Sequence, residues 1–71
     1  MSIPKHSVMI AGHRTSISLE PEFWSLLKKI AAKQESTVAE LITRIDANRA
    51  GGLSSALRVF VLETILKEHS F

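Results

Sequence analysis

The side chains with binding chemistry in this 71-residue chain gather in one stretch, Arg14-Thr15-Ser16-Ile17-Ser18-Leu19. Thr15, Ile17 and Leu19 alternate with Arg14, Ser16 and Ser18, the period-two pattern of a half-buried strand. One face is therefore apolar and the other carries a guanidinium and two hydroxyls. Residues 1–19 contain Lys5, Arg14 and two histidines but no carboxylate, although the whole chain has a net charge of only +2. A locally positive strand with hydrogen-bonding side chains suits an anionic partner.

The three histidines, His6, His13 and His69, match no metal-ligand spacing, and the chain has no cysteine. Nucleophilic catalysis needs a nucleophile, a base and an orienting group. The serines here lie in no Gly-x-Ser-x-Gly frame, and the domain is too small for an enclosed pocket. The sequence therefore predicts a protein that is not an enzyme and uses no metal or cofactor.

The elements that must position this stretch are legible in turn. Ser7-Val8-Met9-Ile10 has weak strand character, and Ala11-Gly12 permits a turn, so residues 1–12 read as an N-terminal arm or as an extra strand folding back on residues 14–19. Residues 13–19 form the ribbon strand. A helix is expected over 20–34, opened by Glu20-Pro21-Glu22 and carrying Phe23, Leu26, Leu27, Ile30 and Ala31 on one stripe. Trp24 sits at the shoulder of that stripe. Thr37-Val38-Ala39-Glu40 has the capping-box pattern and starts a helix over 37–48, which Gly51-Gly52 ends. A third helix, over 53–69 and capped by Ser54 or Ser55, is apolar around most of its circumference and wants burial on two sides.

A chain this short buries only about 60% of its unfolded surface. With 45% hydrophobic residues and no disulfides, oligomerisation is the usual way to enlarge the core, and a homodimer is expected. The apolar run Val8–Ala11 is too short for a signal-peptide core or a membrane span, which predicts a cytoplasmic protein without a membrane partner.

The order strand, helix, capped turn, helix resembles the ribbon-helix-helix DNA-binding domain family of the Arc and methionine repressors. The resemblance runs from Arg14 to about Asn48 and rests on Arg14–Leu19, Leu26-Leu27-Lys28-Lys29-Ile30-Ala31 and Ser36-Thr37-Val38. His13–Glu20 together with Leu53–Leu62 looks like a small bacterial variant with an added third helix. The resemblance implies a mainly α fold with one short N-terminal strand pairing across a homodimer. Thr15, Ile17 and Leu19 would form the dimer core. Arg14, Ser16 and Ser18 would contact bases in the major groove of double-stranded DNA, and Thr37, Val38 and Ala39 would offer a phosphate the second helix's N-terminus. The function implied is transcription regulation. The alternative is a protein–protein interaction module, a dimeric scaffold or antitoxin-like partner, with little DNA affinity.

Overall fold

The computed structural model describes residues 3–69; Met1 and Ser2, the start of the expected arm, lie outside them. Strand β1 (Lys5–Ile10) pairs antiparallel with β2 (His13–Ser18), and helices α1 (Pro21–Lys33), α2 (Val38–Asn48) and α3 (Leu53–His69) follow. Of the two arrangements open for residues 7–10, the hairpin is the one adopted. β2 thus finds its first partner inside its own chain, and its other edge stays open to a partner strand from a second copy.

Ile10 faces His13 across the ribbon, leaving Ala11 and Gly12 as the two turn residues. Both have positive φ, 50° and 82°. A two-residue turn with two left-handed positions matches the right-handed twist of the strands it joins. Gly12 adopts this conformation freely, whereas Ala11 carries a Cβ and is strained there. At the open end of the hairpin, the Leu19 N–H donates to the Pro4 carbonyl at 3.1 Å.

The inner face of the hairpin lies over the helices. Ile10, Ile17 and Leu19 are buried with Leu27, Ile30 and Ala31 of α1, Leu41 and Ile42 of α2, and Leu57 and Val61 of α3. His6, on the same inner face, stacks flat on Trp24 with ring centroids 3.9 Å apart. Trp24 is therefore a clasp between β1 and α1.

The helix ends follow local chemistry. Pro21 sits in the first turn of α1, where its missing N–H costs no hydrogen bond. α1 closes through paired bonds from Glu35 N–H to the Ala32 carbonyl and from Ser36 N–H to the Ala31 carbonyl, the Schellman arrangement. Its left-handed position is filled by Glu35, at φ 53°, where glycine is usual. The capping box at α2 is formed as expected: Glu40 N–H donates to Thr37 Oγ1 and Thr37 N–H donates to Glu40 Oε1, each at 3.0 Å. α3 begins ahead of the expected serine caps. Ser54 and Ser55 lie in its first turn, and the Gly52 carbonyl already accepts the Ala56 N–H.

Two strained backbone positions give a direct expectation. Ala11→Asn and Glu35→Gly should each raise unfolding free energy by about 0.5–1 kcal/mol, measured by urea denaturation. A loss of stability in either variant would contradict the turn geometry described.

Candidate nucleic-acid interface

Strand alternation turns every inward residue's neighbour outward. The cross-strand pairs Lys5–Ser18, Ser7–Ser16 and Met9–Arg14 make the outer face of the ribbon. Five of these six residues are exposed and Ser18 is half-buried. The expected groove residues Arg14, Ser16 and Ser18 therefore share one face, and β1 adds Lys5, Ser7 and Met9 beside them. Lys5 and Arg14 stand near opposite ends, about 13 Å apart along the strands at the usual rise per residue. Neither strand contains a carboxylate. The expected core trio also shares one face: Ile17 and Leu19 are buried and Thr15 half-buried, all within a single chain.

The Leu19–Pro4 bond sets the hydrogen-bonding phase of the ladder. Bonded and non-bonded pairs alternate in an antiparallel pair. The backbone groups of Thr15 and Ile17 therefore point to β1, while those of Arg14, Ser16 and Ser18 lie along the open edge of β2.

Thr37, Val38 and Ala39 stand together at the start of α2. Ser36, Ala39 and Glu40 border a shallow opening that Met9 of the ribbon also borders, so α2's N-terminus adjoins the turn end of β1. The capping box occupies the Thr37 and Glu40 amides and leaves those of Val38 and Ala39 as the first-turn donors. Its carboxylate has a second effect. The Thr37 amide and hydroxyl hold Glu40 below the ordinary carboxylate range, so a negative charge persists at this helix end. A phosphate here meets repulsion as well as two N–H groups.

Glu20, at the junction of ribbon and α1, is tied by a two-pronged bond from Arg58 of α3, Nε to Oε1 at 2.8 Å and Nη2 to Oε2 at 3.1 Å. The Arg58 guanidinium, with help from the backbone and from its charge, holds the Glu20 carboxyl below its usual range. The pair neutralises the acid nearest to the ribbon's end. The sequence carries no signal for it, since the partners lie 38 residues apart.

Among the described residues, no group of three or more histidines, cysteines or carboxylates could hold a metal ion. No described helix is long and apolar enough to cross a membrane.

Comparison with known proteins agrees with this geometry. Residues 3–65 match the model of the ribbon-helix-helix domain. The chain belongs to that family. It is also similar to a solved structure, that of an uncharacterized protein from Bordetella pertussis Tohama I, at 32% identity and a TM-score of 0.76. That likeness covers 97% of this chain and 61% of the other, so this chain spans under two thirds of the Bordetella protein's length. No match was found among curated proteins.

The Glu20–Arg58 pair sets a pH dependence. A carboxyl whose pKa is depressed in the folded state contributes stability above its unfolded pKa and loses it as pH falls through the folded value. Arg58→Ala should lower the melting temperature at pH 7 and leave a shallower further loss on acidification to pH 3 than the unaltered chain shows. Parallel acid profiles for the two proteins would contradict the pairing.

Proposed function

We propose that this protein is a homodimeric, cytoplasmic DNA-binding transcriptional regulator that lays the outer face of its β1–β2 ribbon in the major groove. The observation that carries this reading is an exposed two-stranded face with Lys5 and Arg14 near its ends, hydroxyls between them and no acid on either strand. A two-stranded ribbon fits the width of the major groove. Membership of the ribbon-helix-helix family supports the same choice.

The residues divide by chemistry. Arg14 has the planar fork that grips guanine at two acceptors and carries most of the base discrimination. Ser16, Ser18 and Ser7 can hydrogen-bond to several base edges and discriminate weakly. Lys5 reaches a phosphate as a point charge. The Val38 and Ala39 amides, with Thr37 organising the turn, offer a phosphate contact that fixes register, weakened by Glu40. β1 and β2 pair within one chain, and Ile17 and Leu19 support the DNA face from beneath, where Thr15, Ile17 and Leu19 would also serve the dimer core. A second chain would pair its strand antiparallel along the open edge of β2 and widen the same face.

This arrangement implies affinity with modest sequence preference. Binding to random duplex, followed by fluorescence anisotropy, should weaken steeply with added salt as counterions are released. Arg14→Ala should cost about 1–3 kcal/mol and flatten sequence preference, while Lys5→Ala should weaken all sequences alike. Absence of binding at low salt would overturn the DNA reading. The interaction module with little DNA affinity would then stand, on the strength of the apolar residues that α3 leaves exposed.

A further inference from the structure

Of the residues on the outer face of the ribbon, Lys5, Ser7, Arg14, Ser16 and Ser18 are polar or charged. The exception is Met9, a large apolar side chain left 53% exposed among them. A single exposed hydrophobe is ordinary on a protein surface. The position of this one is not. Met9 lies directly across from Arg14. The Leu19–Pro4 bond puts that pair in the non-hydrogen-bonded phase of the ladder, where Cα atoms approach to about 4.5 Å and side chains lie closest. Met9 also borders the opening it shares with Ser36, Ala39 and Glu40 at the start of α2. It therefore stands between the guanidinium of the ribbon and the helix end assigned above to a phosphate.

We infer that Met9 is a specificity-determining residue, which reads the C5-methyl group of a pyrimidine in the base pair beside the guanine held by Arg14. This inference rests on the DNA reading above and names the class of sequence that the ribbon prefers. Thymine shows O4 and a C5-methyl group in the major groove, and the methyl is recognised by apolar contact. The serines of this face seek donors and acceptors. Met9 has no donor and only a weak acceptor, so apolar contact is the recognition left to it. Its unbranched, polarizable side chain adapts readily to such a contact.

The spacing fits. Neighbouring base pairs are stacked about 3.4 Å apart, close to the separation of a cross-strand pair, so Arg14 and Met9 reach adjacent steps. The C5 position of a pyrimidine lies toward its own strand's backbone in the groove. With the Val38 and Ala39 amides on a phosphate, Met9 is the outer-face residue on that side of the ribbon. Contact removes the methyl group and the thioether from water together. Uracil and cytosine carry a hydrogen at C5 and forfeit this gain, which at ~0.8 kcal/mol per buried methylene is about fourfold in affinity. Thymine and 5-methylcytosine share the methyl and differ at position 4.

The test begins with selection of duplexes from a randomised pool by the unaltered chain at low salt, followed by fluorescence anisotropy on the selected sequence. That sequence should hold a thymine in the base pair next to a guanine. Exchanging the thymine for uracil deletes only the methyl and should weaken binding about fourfold. Met9→Ser should keep its helicity by circular dichroism and bind the two duplexes alike, while Met9→Leu should retain the preference. Met9→Gln takes the place of Met9→Ser should that variant not fold. Cytosine and then 5-methylcytosine at the same position separate the two sources. A gain on methylation means that the methyl is read on either base, and no gain confines the contact to thymine. Equal binding of thymine and uracil duplexes by the unaltered chain, or a preference that survives in folded Met9→Ser, would overturn the inference and leave the DNA reading standing. Absence of binding to any duplex would overturn the DNA reading, and this inference with it.

Discussion

The structure depends on the inner face of one hairpin being buried on three helices. Ile10, Ile17 and Leu19 have no other place to escape water, and their burial against Leu27, Ile42, Leu57 and Val61 makes one core of otherwise separate helices. A strand has only two faces. Once Ile17 and Leu19 are committed inward, Arg14, Ser16 and Ser18 must face outward, and the register with β1 sends Lys5, Ser7 and Met9 with them. The packing constraint and the proposed binding face therefore have one cause. A one-residue slip of β2 would bury Arg14 and the serines and expose the core.

Much of this was legible in the sequence because it is local. The alternation from Arg14 to Leu19, the stripe from Phe23 to Ala31, and the capping box at Thr37 and Glu40 are short-range patterns with direct structural meaning. The features that stayed hidden are of two kinds. Glu35 and Ala11 adopt left-handed backbone without being glycine, so composition alone does not reveal their turns. The His6–Trp24 stack and the Glu20–Arg58 bond join residues distant in sequence, and neither has a periodic signature.

The pairing of β1 was the ambiguous case, and the physical reason is visible. Ser7-Val8-Met9-Ile10 holds three apolar residues in a row, which hides the alternation. Met9 is exposed on the outer face opposite Arg14, while Val8 and Ile10 face inward. The pairing matters for the proposed function because it sets Lys5, Ser7 and Met9 beside Ser18, Ser16 and Arg14 on one face. Family membership rests on the match over residues 3–65; the DNA-facing role proposed for this ribbon rests on its charge and exposure.

Reading of DNA by the outer ribbon face is tested most directly by an NMR titration of the isotope-labelled chain with a short duplex at moderate salt. The largest amide shifts should fall on residues 5, 7, 9, 14, 16 and 18 and at the start of α2, with α3 unmoved. Shifts concentrated on α3, with the ribbon silent, would contradict a DNA-reading ribbon.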